Sequence, residues 1–285
     1  MNFSYAKLKT SANFHINHPF RKKMQERHLN RKQYFEEQSI TTEKYIIPYI
    51  EDCLIINKST RVLEIGCGEG GNLIPFIKKG CQVTGVDIID KQIERAKEYI
   101  KEIVPNSNTT LISKDMYNVT VDEIGTFDLI IMRDVIEHIH NQERFLAYLK
   151  KFLKPKGLIF FGFPPWCMPF GGHHQICKSK LLSHLPYFHL LNKSLYRWLM
   201  KAFKESKETI DSLLEIKQTG LSINRFEKII KKEKYVFAKK DLYFINPNYE
   251  IKFGLKPRKQ SKIIASIPIV RDFLTTGYFC LIKKS

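Results

Sequence analysis

A short stretch near residue 65 constrains the fold of this chain more than any other feature of its sequence. The apolar run Val62–Ile65 is followed at once by Gly66-Cys67-Gly68-Glu69-Gly70-Gly71, and a helical pattern comes next. A buried strand that ends in glycines and leads into a helix brings the backbone close to a ligand, because glycine tolerates positive φ and the first N–H groups of the helix remain available. The stretch lacks the Gly-Lys-Ser/Thr of a phosphate-binding loop, and Glu64 stands before the glycines. A carboxylate at that point favours a cationic ligand over a pyrophosphate.

Short apolar runs alternate with helical patterns from residue 61 to residue 165, and the alternation resumes after residue 220. This arrangement is typical of an α/β fold with a parallel sheet and helices on both faces. We expect a Rossmann-like, seven-stranded sheet. The predicted strands cover 62–65, 82–86, 110–113, 127–132, 158–162, 235–245 and 277–282, and the main predicted helices cover 72–79, 92–103 and 222–233.

Two segments fall outside this alternation. Residues 1–56 predict an N-terminal helical cap of two helices, the first opening at Pro19 and the second starting after a break at Thr41–Thr42. Residues 57–285 form the predicted main domain. Within it, residues 163–218 are rich in proline, glycine and aromatic residues before two helical patterns, which predicts a helical insert or lid after the fifth strand.

Composition excludes several classes of protein. With 285 residues, of which 43% are hydrophobic, the chain is neither disordered nor a disulfide-framed miniature domain. Its six cysteines form no C-x-x-C pair, the N-terminus has no signal-peptide pattern, and no apolar run reaches the roughly 18 residues of a membrane span. We therefore expect a cytoplasmic protein with free thiols. Most of the net charge of +18 lies outside residues 57–165, which indicates either a solvated lysine-rich surface or an anionic partner.

A second acid completes a ligand-binding pattern. Asp87 ends the second predicted strand, 23 residues after Glu64, where a carboxylate can accept both ribose hydroxyls of an adenosine-type ligand. With Lys114-Asp115-Met116, the segment Phe127-Asp-Leu-Ile-Ile-Met-Arg-Asp-Val-Ile-Glu-His138 and Lys154-Pro-Lys-Gly157, the order and spacing resemble those of class I S-adenosylmethionine-dependent methyltransferases. The resemblance covers residues 61–165.

The resemblance implies a cofactor, S-adenosylmethionine, and a role for each matching residue. Glu64 is expected near the methionine ammonium and Asp87 at the ribose. Asp115 is expected at the adenine amino group, unless it only caps its loop, and Arg133 is expected to face the methionine. The remaining implied cofactor contacts are the backbone of the glycine turn and the residues that pack against adenine: Gly66, Cys67, Gly68, Gly70, Ile88 and Met116.

The pattern Asp134-Val-Ile-Glu137-His138 resembles the Glu-x-x-Glu-His motif of two groups of the superfamily. One comprises the ubiquinone-biosynthesis O-methyltransferases and the other the small-RNA 2′-O-methyltransferases. In those groups the motif holds a divalent metal beside the acceptor oxygen, which lowers the pKa of a hydroxyl. Asp134, Glu137 and His138 are thus candidate metal ligands, although this chain has Asp in place of the first Glu. The alternative is that Val-Ile-Glu-His only begins a helix.

Four residues are candidate catalytic groups: His173, His174, Asp134 and His138. Histidine titrates near neutral pH and suits the role of general base in methyl transfer to oxygen. The pair His173–His174 can equally be an ordinary polar loop pair or supply a further metal ligand.

Two regions form the predicted acceptor side, residues 163–218 and residues 20–50. In the first, Trp166 can line a pocket for an apolar or ring-shaped acceptor, or pack the insert onto the sheet, as can Phe163 and Phe170. In the second, Arg31, Tyr34 and Phe35 can close over the cofactor or serve helix packing.

Three functions are consistent with these patterns. The first is a methyltransferase acting on a small molecule, at a hydroxyl of a sugar, lipid-linked or phenolic acceptor. The second is an RNA methyltransferase of the 2′-O type, which the positive charge favours and the absence of a recognisable RNA module opposes. The third is a non-catalytic scaffold or membrane-associated protein with a cofactor fold.

One basic amphipathic helix allows contact with a membrane. The helix that carries Leu195, Trp198 and Leu199 also carries Lys193, Arg197 and other basic residues. Such a helix can lie on an anionic membrane surface, or pack against its own domain with its lysines in water.

Overall fold

The protein is described by a computed structural model that covers residues 30–285. Pro19 and the rest of residues 1–29 of the predicted cap lie outside the described residues. Eight strands form one mixed sheet in the order β3-β2-β1-β4-β5-β8-β6-β7. Strands β1 to β5 run parallel, and β8 and β6 continue the sheet in antiparallel pairs. The strands are β1 (Arg61–Ile65), β2 (Gln82–Asp87), β3 (Thr109–Ser113), β4 (Phe127–Arg133), β5 (Leu153–Phe163), β6 (Tyr235–Ile245), β7 (Arg258–Lys259) and β8 (Gly277–Lys284).

The predicted α/β class is confirmed, with a strand count of eight instead of seven. The additional strand is the two-residue β7, which pairs with the edge of β6. It was missed because two exposed residues leave no hydrophobic alternation to detect.

Helices cover both faces of the sheet because successive residues of a strand point to opposite faces. Leu63 and Ile65 of β1 belong to one buried cluster, whereas Val62 belongs to the other. The helices are α1 (Arg31–Thr41), α2 (Ile47–Glu51), α3 (Ile74–Lys78), α4 (Asp90–Ile103), α5 (Val121–Ile124), α6 (Gln142–Leu149), α7 (Lys180–His184), α8 (Lys193–Ala202), α9 (Lys207–Thr219), α10 (Ile223–Lys232), α11 (Asn248–Phe253), α12 (Lys262–Ser266) and α13 (Pro268–Leu274).

The predicted helix break at Thr41–Thr42 is wrong. Helix α1 continues through a π-helical turn, Thr42–Ile46, directly into α2. Both threonines are buried, and the hydroxyl of Thr41 donates to the carbonyl of Glu37 within the helix. A threonine that bonds back to its own helix in this way does not act as an N-cap.

The segment from residue 164 to residue 219 leaves the sheet after β5 and contains α7, α8 and α9. It has a small buried cluster of its own, in which Phe188, Tyr196 and Leu213 take part. A second excursion, from residue 246 to residue 276, separates β6 from β8 and contains α11, β7, α12 and α13. Sequence patterns did not predict this second excursion. No helix between residues 30 and 285 combines the length and apolarity needed to cross a lipid bilayer.

Candidate active site

The glycine turn after β1 depends on positive backbone angles. Gly66 has φ +70° and Gly68 has φ +56°. The Gly66 amide donates to the carbonyl of Val86 at 2.7 Å, which ties the turn to the end of β2. A Cβ on Gly66 would lie 2.5 Å from Cγ2 of Val135. Any side chain at residue 66 would therefore strain the backbone and clash with the segment that follows β4.

Asp87 is held rigidly at the end of β2. Its Oδ2 accepts from the amide of Gly68 at 2.8 Å, and its Oδ1 accepts from the amide of Ile89 at 3.0 Å. The residue is buried. A carboxylate has about four acceptor positions, so these two bonds orient Asp87 and leave it able to accept from a ligand.

The carboxyl ends of the parallel strands surround a cavity of about 580 Å³. Asp115 lies on its wall and also caps the turn that follows β3, because its Oδ1 accepts from the amide of Tyr117 at 2.9 Å. Open α/β sheets bind ligands at this edge, where the strand order reverses between β1 and β4. Five of the ten predicted cofactor residues line the cavity, namely Gly66, Asp87, Ile88, Asp115 and Met116. We call this region the cofactor side.

Glu64 lies behind the glycine turn in a buried polar network. Its Oε1 accepts from the side-chain amide of Asn72 at 2.6 Å. The amide oxygen of Asn72 accepts from Nη1 of Arg133 at 2.7 Å and from the hydroxyl of Thr42 at 2.8 Å. Desolvation raises the pKa of Glu64 to about 8, against the opposing effects of Asn72 and Arg133. The network thus joins the predicted pair Glu64 and Arg133 through one amide.

Sequence reasoning missed Asn72. A single asparagine at the start of a helix gives no signal by itself, since a capping role explains it equally well. Asn72 lies eight residues after Glu64 and contacts it only because the glycine turn reverses the direction of the chain.

The remaining residues of the turn serve packing. Cys67 is buried, and burial raises the pKa of its thiol. The buried carboxylate of Glu69 accepts from Nε of Arg31 at 2.7 Å and lies 3.7 Å from Nη1 of Arg95. The carbonyl of Phe35 lies only 2.4 Å from where a Cβ on Gly71 would stand. These contacts hold α1 against the turn.

Asp134, directly after β4, is the centre of a second cluster. Its φ is +54°, and its Oδ2 lies 3.8 Å from Nε of Arg133. The negative charge of Asp134 raises the pKa values of Tyr34 and Tyr249, although burial is the larger cause for both and brings Tyr34 to about 12. Helix α1, strand β4 and helix α11 therefore bring polar side chains to one place.

Glu137, His138 and His173 form a third group beside this cluster. One donor atom from each lies within 4.8 Å of the others. The rings of His138 and His173 meet edge to face with centroids 5.1 Å apart. Burial raises the pKa of Glu137 and lowers that of His173. We call this group, together with Asp134, Tyr34 and Tyr249, the acceptor side.

The structure separates the two adjacent histidines. His174 is fully buried, its Nε2 lies 2.9 Å from the carbonyl of Leu185, and its ring stacks on His189. Burial lowers the pKa of both His174 and His189 to about 4, so both are neutral at pH 7. Neither His174 nor the predicted metal ligand Asp134 joins the group of three donors.

The aromatic residues of the insert pack rather than line the cavity. Phe163 is buried between Phe226 and Tyr278, and Trp166 meets the ring of His189 edge to face at 4.6 Å. Phe170 packs on His174 at 5.4 Å. The geometry therefore favours packing roles for all three: Phe163 of β5 lies in the core of the main domain, and Trp166 and Phe170 pack within the insert.

The fold is Rossmann-like, and its cavity lies at the edge of the sheet where open α/β folds bind ligands. The model of the family described as "Methyltransferase domain" matches residues 34–203. The chain belongs to this family, which confirms the predicted resemblance to S-adenosylmethionine-dependent methyltransferases.

Curated relatives extend the comparison to individual proteins. The chain is 36% identical over 104 residues to a ubiquinone biosynthesis O-methyltransferase of Rhizobium leguminosarum bv. trifolii, which is 35% of this chain and 38% of that protein. It is 32% identical over 97 residues to the ubiquinone biosynthesis O-methyltransferase of Rickettsia akari. That match covers 34% of this chain and 37% of the Rickettsia protein. The chain thus spans less than two fifths of the length of these relatives.

Solved structures support the fold. A magnesium protoporphyrin IX methyltransferase from Synechocystis, crystallised with S-adenosylhomocysteine, superposes with a TM-score of 0.54 at 12% identity, over 99% of this chain and 94% of that chain. A putative sarcosine dimethylglycine methyltransferase from Galdieria sulphuraria gives a TM-score of 0.56 at 15% identity, over 86% of both chains.

Proposed function

We propose that the protein is an S-adenosylmethionine-dependent methyltransferase that methylates a hydroxyl oxygen of a small-molecule acceptor. One observation carries the proposal. The ends of β1, β2 and β3 bring Gly66, Asp87 and Asp115 to the wall of one cavity, in the order that the resemblance to S-adenosylmethionine-dependent methyltransferases implies. The O-methyltransferase descriptions of the curated relatives support an oxygen acceptor. The six free cysteines support a reducing compartment, and we place the enzyme in the cytoplasm.

The residues of the cofactor side fit S-adenosylmethionine. Asp87 has acceptor capacity for the two ribose hydroxyls, and Asp115 for the adenine amino group. Met116 and Ile88 supply apolar surface for the adenine ring. Glu64 is buried, and one of its oxygens has no hydrogen-bond partner among the described residues. A buried carboxylate in this state suits a cationic ammonium group, because unpaired burial of either charge is costly.

The acceptor side fits deprotonation of a hydroxyl. When bound, S-adenosylmethionine supplies an electrophilic methyl group on a sulfonium. His173 is neutral at pH 7 because burial lowers its pKa, so one of its ring nitrogens can take the proton of the acceptor. Asp134 lies near enough to stabilise the imidazolium that results. Tyr34 and Tyr249 remain protonated and can donate hydrogen bonds to the acceptor.

A divalent metal is the second candidate for activating the hydroxyl. The donors of Glu137, His138 and His173 lie within 4.8 Å of one another, and both carboxylate oxygens of Glu137 are buried without a hydrogen-bond partner in the described part of the chain. Two imidazoles and one carboxylate suit Zn²⁺, Mn²⁺ or Fe²⁺ better than Mg²⁺. A bound metal would lower the pKa of the acceptor hydroxyl, and His173 would then be a ligand instead of the base.

The cofactor assignment is tested by titration with S-adenosylhomocysteine. We expect Asp87→Asn to weaken its affinity at least about tenfold, because the amide keeps only one acceptor oxygen. Asparagine can still accept from the Gly68 amide, so the turn should fold. Asp122→Asn, at an exposed position, is the matched control. Equal affinities in the two variants, or equal binding of NAD to the wild type, would contradict the proposal.

The acceptor chemistry is tested on a panel of hydroxyl compounds, with formation of S-adenosylhomocysteine as the readout. His173→Gln should lower kcat about a hundredfold or more and leave cofactor affinity unchanged, whereas His184→Gln, at an exposed position of the insert, should change neither. Chelation distinguishes the two mechanisms. Loss of activity with EDTA, together with calorimetric Zn²⁺ or Mn²⁺ binding that Glu137→Gln removes and Glu43→Gln retains, would identify the metal route.

A further inference from the structure

Exposed large apolar side chains are concentrated in two segments of the chain, residues 176–204 and residues 252–271. These segments hold twelve of the seventeen such side chains found among the described residues. Scattered single examples are normal, whereas a concentration of them marks an interaction site. The twelve are Ile176, Leu181, Leu185, Leu195, Trp198, Phe203, Phe253, Leu255, Ile263, Ile267, Ile269 and Val270.

The same two segments are purely basic. Each contains six lysine or arginine residues and no aspartate or glutamate. In the first segment all six are exposed, namely Lys178, Lys180, Lys193, Arg197, Lys201 and Lys204. In the second segment Lys259 pairs with Asp241 and Arg271 pairs with Glu227, while Lys256, Arg258 and Lys262 are exposed.

The helices of both segments present apolar residues to solvent. Helix α8 buries Tyr196 and Met200, so the stripe that contains Trp198 is not the packed face, and Trp198 is 62% exposed. Helix α12 buries none of its residues, and Ile263 is 76% exposed. Helix α13 buries only Asp272. The exposed hydrophobic residues of these helices therefore contribute little to the core of the domain.

One ring contact connects the neighbourhoods of the two segments. The ring of Tyr187, in the first segment, packs on Phe273, two residues beyond the end of the second segment, with centroids 5.8 Å apart. We name the exposed side chains of residues 176–204 and 252–271 the basic apolar surface. It combines residues from the insert after β5 and from the excursion between β6 and β8, which are distant in sequence.

We propose that the basic apolar surface docks the protein on an anionic phospholipid membrane. Apolar side chains at the headgroup level and lysines beside them attract such a surface through two independent effects, burial of apolar area and attraction to anionic lipid. A second copy of the chain would bring six basic residues of each segment against like charges. A nucleic acid would use the charges but would leave most of the aliphatic side chains in water.

The test is binding of the full chain to vesicles without cofactor or acceptor, so that its outcome is independent of methyl transfer. Vesicles of phosphatidylcholine alone are compared with vesicles that contain about one third phosphatidylglycerol, at about 0.1 M and about 0.5 M salt. We expect affinity for the anionic vesicles to be at least about tenfold higher, and to fall with salt. We also expect a blue shift of tryptophan fluorescence, which Trp198→Phe removes because Trp166 already packs inside the insert.

Matched variants separate the two components of the surface. Trp198→Glu with Ile269→Glu should reduce vesicle binding about tenfold or more, as should Lys193→Gln with Arg197→Gln and Lys201→Gln. Ile55→Glu replaces an equally apolar side chain, 79% exposed, outside the surface and should have no effect. All these positions are exposed, so we expect every variant to fold. A melting curve for each variant checks this.

Three results would overturn the proposal. The first is equal affinity for neutral and anionic vesicles, or none for either. The second is dimerisation by light scattering that Trp198→Glu with Ile269→Glu abolishes while vesicles do not bind. The third is RNA binding that the lysine and arginine variants lose and the glutamate variants retain, with no vesicle binding.

Discussion

The cofactor side and the acceptor side of the candidate site are built in different ways. On the cofactor side, Gly66, Asp87 and Asp115 follow the ends of three neighbouring strands, and backbone amides hold both carboxylates in place. On the acceptor side, Tyr34 comes from α1, and Tyr249 comes from α11, more than two hundred residues later. Asp134 directly follows β4, and its negative charge acts on both tyrosines.

This difference in construction determines how freely the residues of each side can change. Strand ends in a parallel sheet have fixed relative positions, so the cofactor side depends on the sheet alone. The acceptor side depends on how segments outside the parallel sheet pack over it. Substrate specificity can therefore change there without disturbing the sheet, in agreement with the general placement of function on loops carried by a rigid scaffold.

The largest expected effect tests the rigidity of the cofactor side. Gly66 and Gly254 have nearly equal φ angles, +70° and +71°, but a Cβ meets Val135 at residue 66 and nothing within 4 Å at residue 254. Gly254→Ala should lower the free energy of unfolding by about 1 kcal/mol through backbone strain, and Gly66→Ala by about 3 kcal/mol or more. Chemical denaturation measures both. Equal losses would mean that the turn tolerates a side chain, and Val135→Ala should partly rescue Gly66→Ala.

The second prediction concerns the side-chain amide of Asn72, which joins Glu64 to Arg133. Asn72→Ala leaves Glu64, Arg133 and Thr42 without their shared partner, and we expect a loss of about 3 kcal/mol in the free energy of unfolding. Asn106→Ala, at an exposed position, should stay within about 0.5 kcal/mol. A small effect of Asn72→Ala would indicate that water replaces the amide in this network.

The third prediction uses pH to examine Glu64. Its pKa of about 8 in the unliganded protein should fall when a cationic ammonium group binds nearby. Binding then releases a proton below pH 8, so affinity for S-adenosylhomocysteine should rise by up to about tenfold per pH unit from pH 6 to pH 8 and level off above. Calorimetric titrations measure this slope. In Glu64→Gln the slope should vanish, and an unchanged slope would assign it to another group.

The last prediction concerns the insert, outside the candidate site. Burial lowers the pKa of His174 to about 4 in the folded state, below its ordinary value of 6.5. The unfolded chain therefore binds the proton first, and stability should decrease as pH falls from about 6.5 towards 4, by at most about 1.4 kcal/mol per pH unit. His174→Phe should weaken this dependence in urea denaturation curves and leave the part that comes from His189, whose pKa burial also lowers to about 4. His184→Phe, which alters an exposed histidine of the same insert, should leave it unchanged.

Sequence patterns located the strand ends that carry the candidate cofactor residues, and five of the ten predicted residues line the cavity. Glu64, the glycine turn, Asp87 and Asp115 could be found because each lies at the end of a strand that hydrophobic periodicity reveals. The helix α4 was predicted as residues 92–103 and begins two residues earlier, at Asp90.

The acceptor side was predicted in part. Asp134, Glu137 and His138 were named through their resemblance to a motif of the superfamily, but the choice between His173 and His174 could not be made from two adjacent histidines. The structure gives His173 a left-handed φ of +56°, and its neighbour enters the packing of the insert. Tyr249 gave no signal, because nothing in the sequence places α11 beside α1.

The sequence by itself determined the parallel sheet, the glycine turn and the carboxylates at its edge, because local periodicity and strand ends are properties of short stretches of chain. Only the tertiary structure decided that Asn72 bridges Glu64 and Arg133, that α11 packs beside α1, and that Tyr187 of the insert contacts Phe273 of α13. These are contacts between segments distant in sequence. They arise when burial of the shared core fixes the relative positions of segments whose local patterns carry no information about one another.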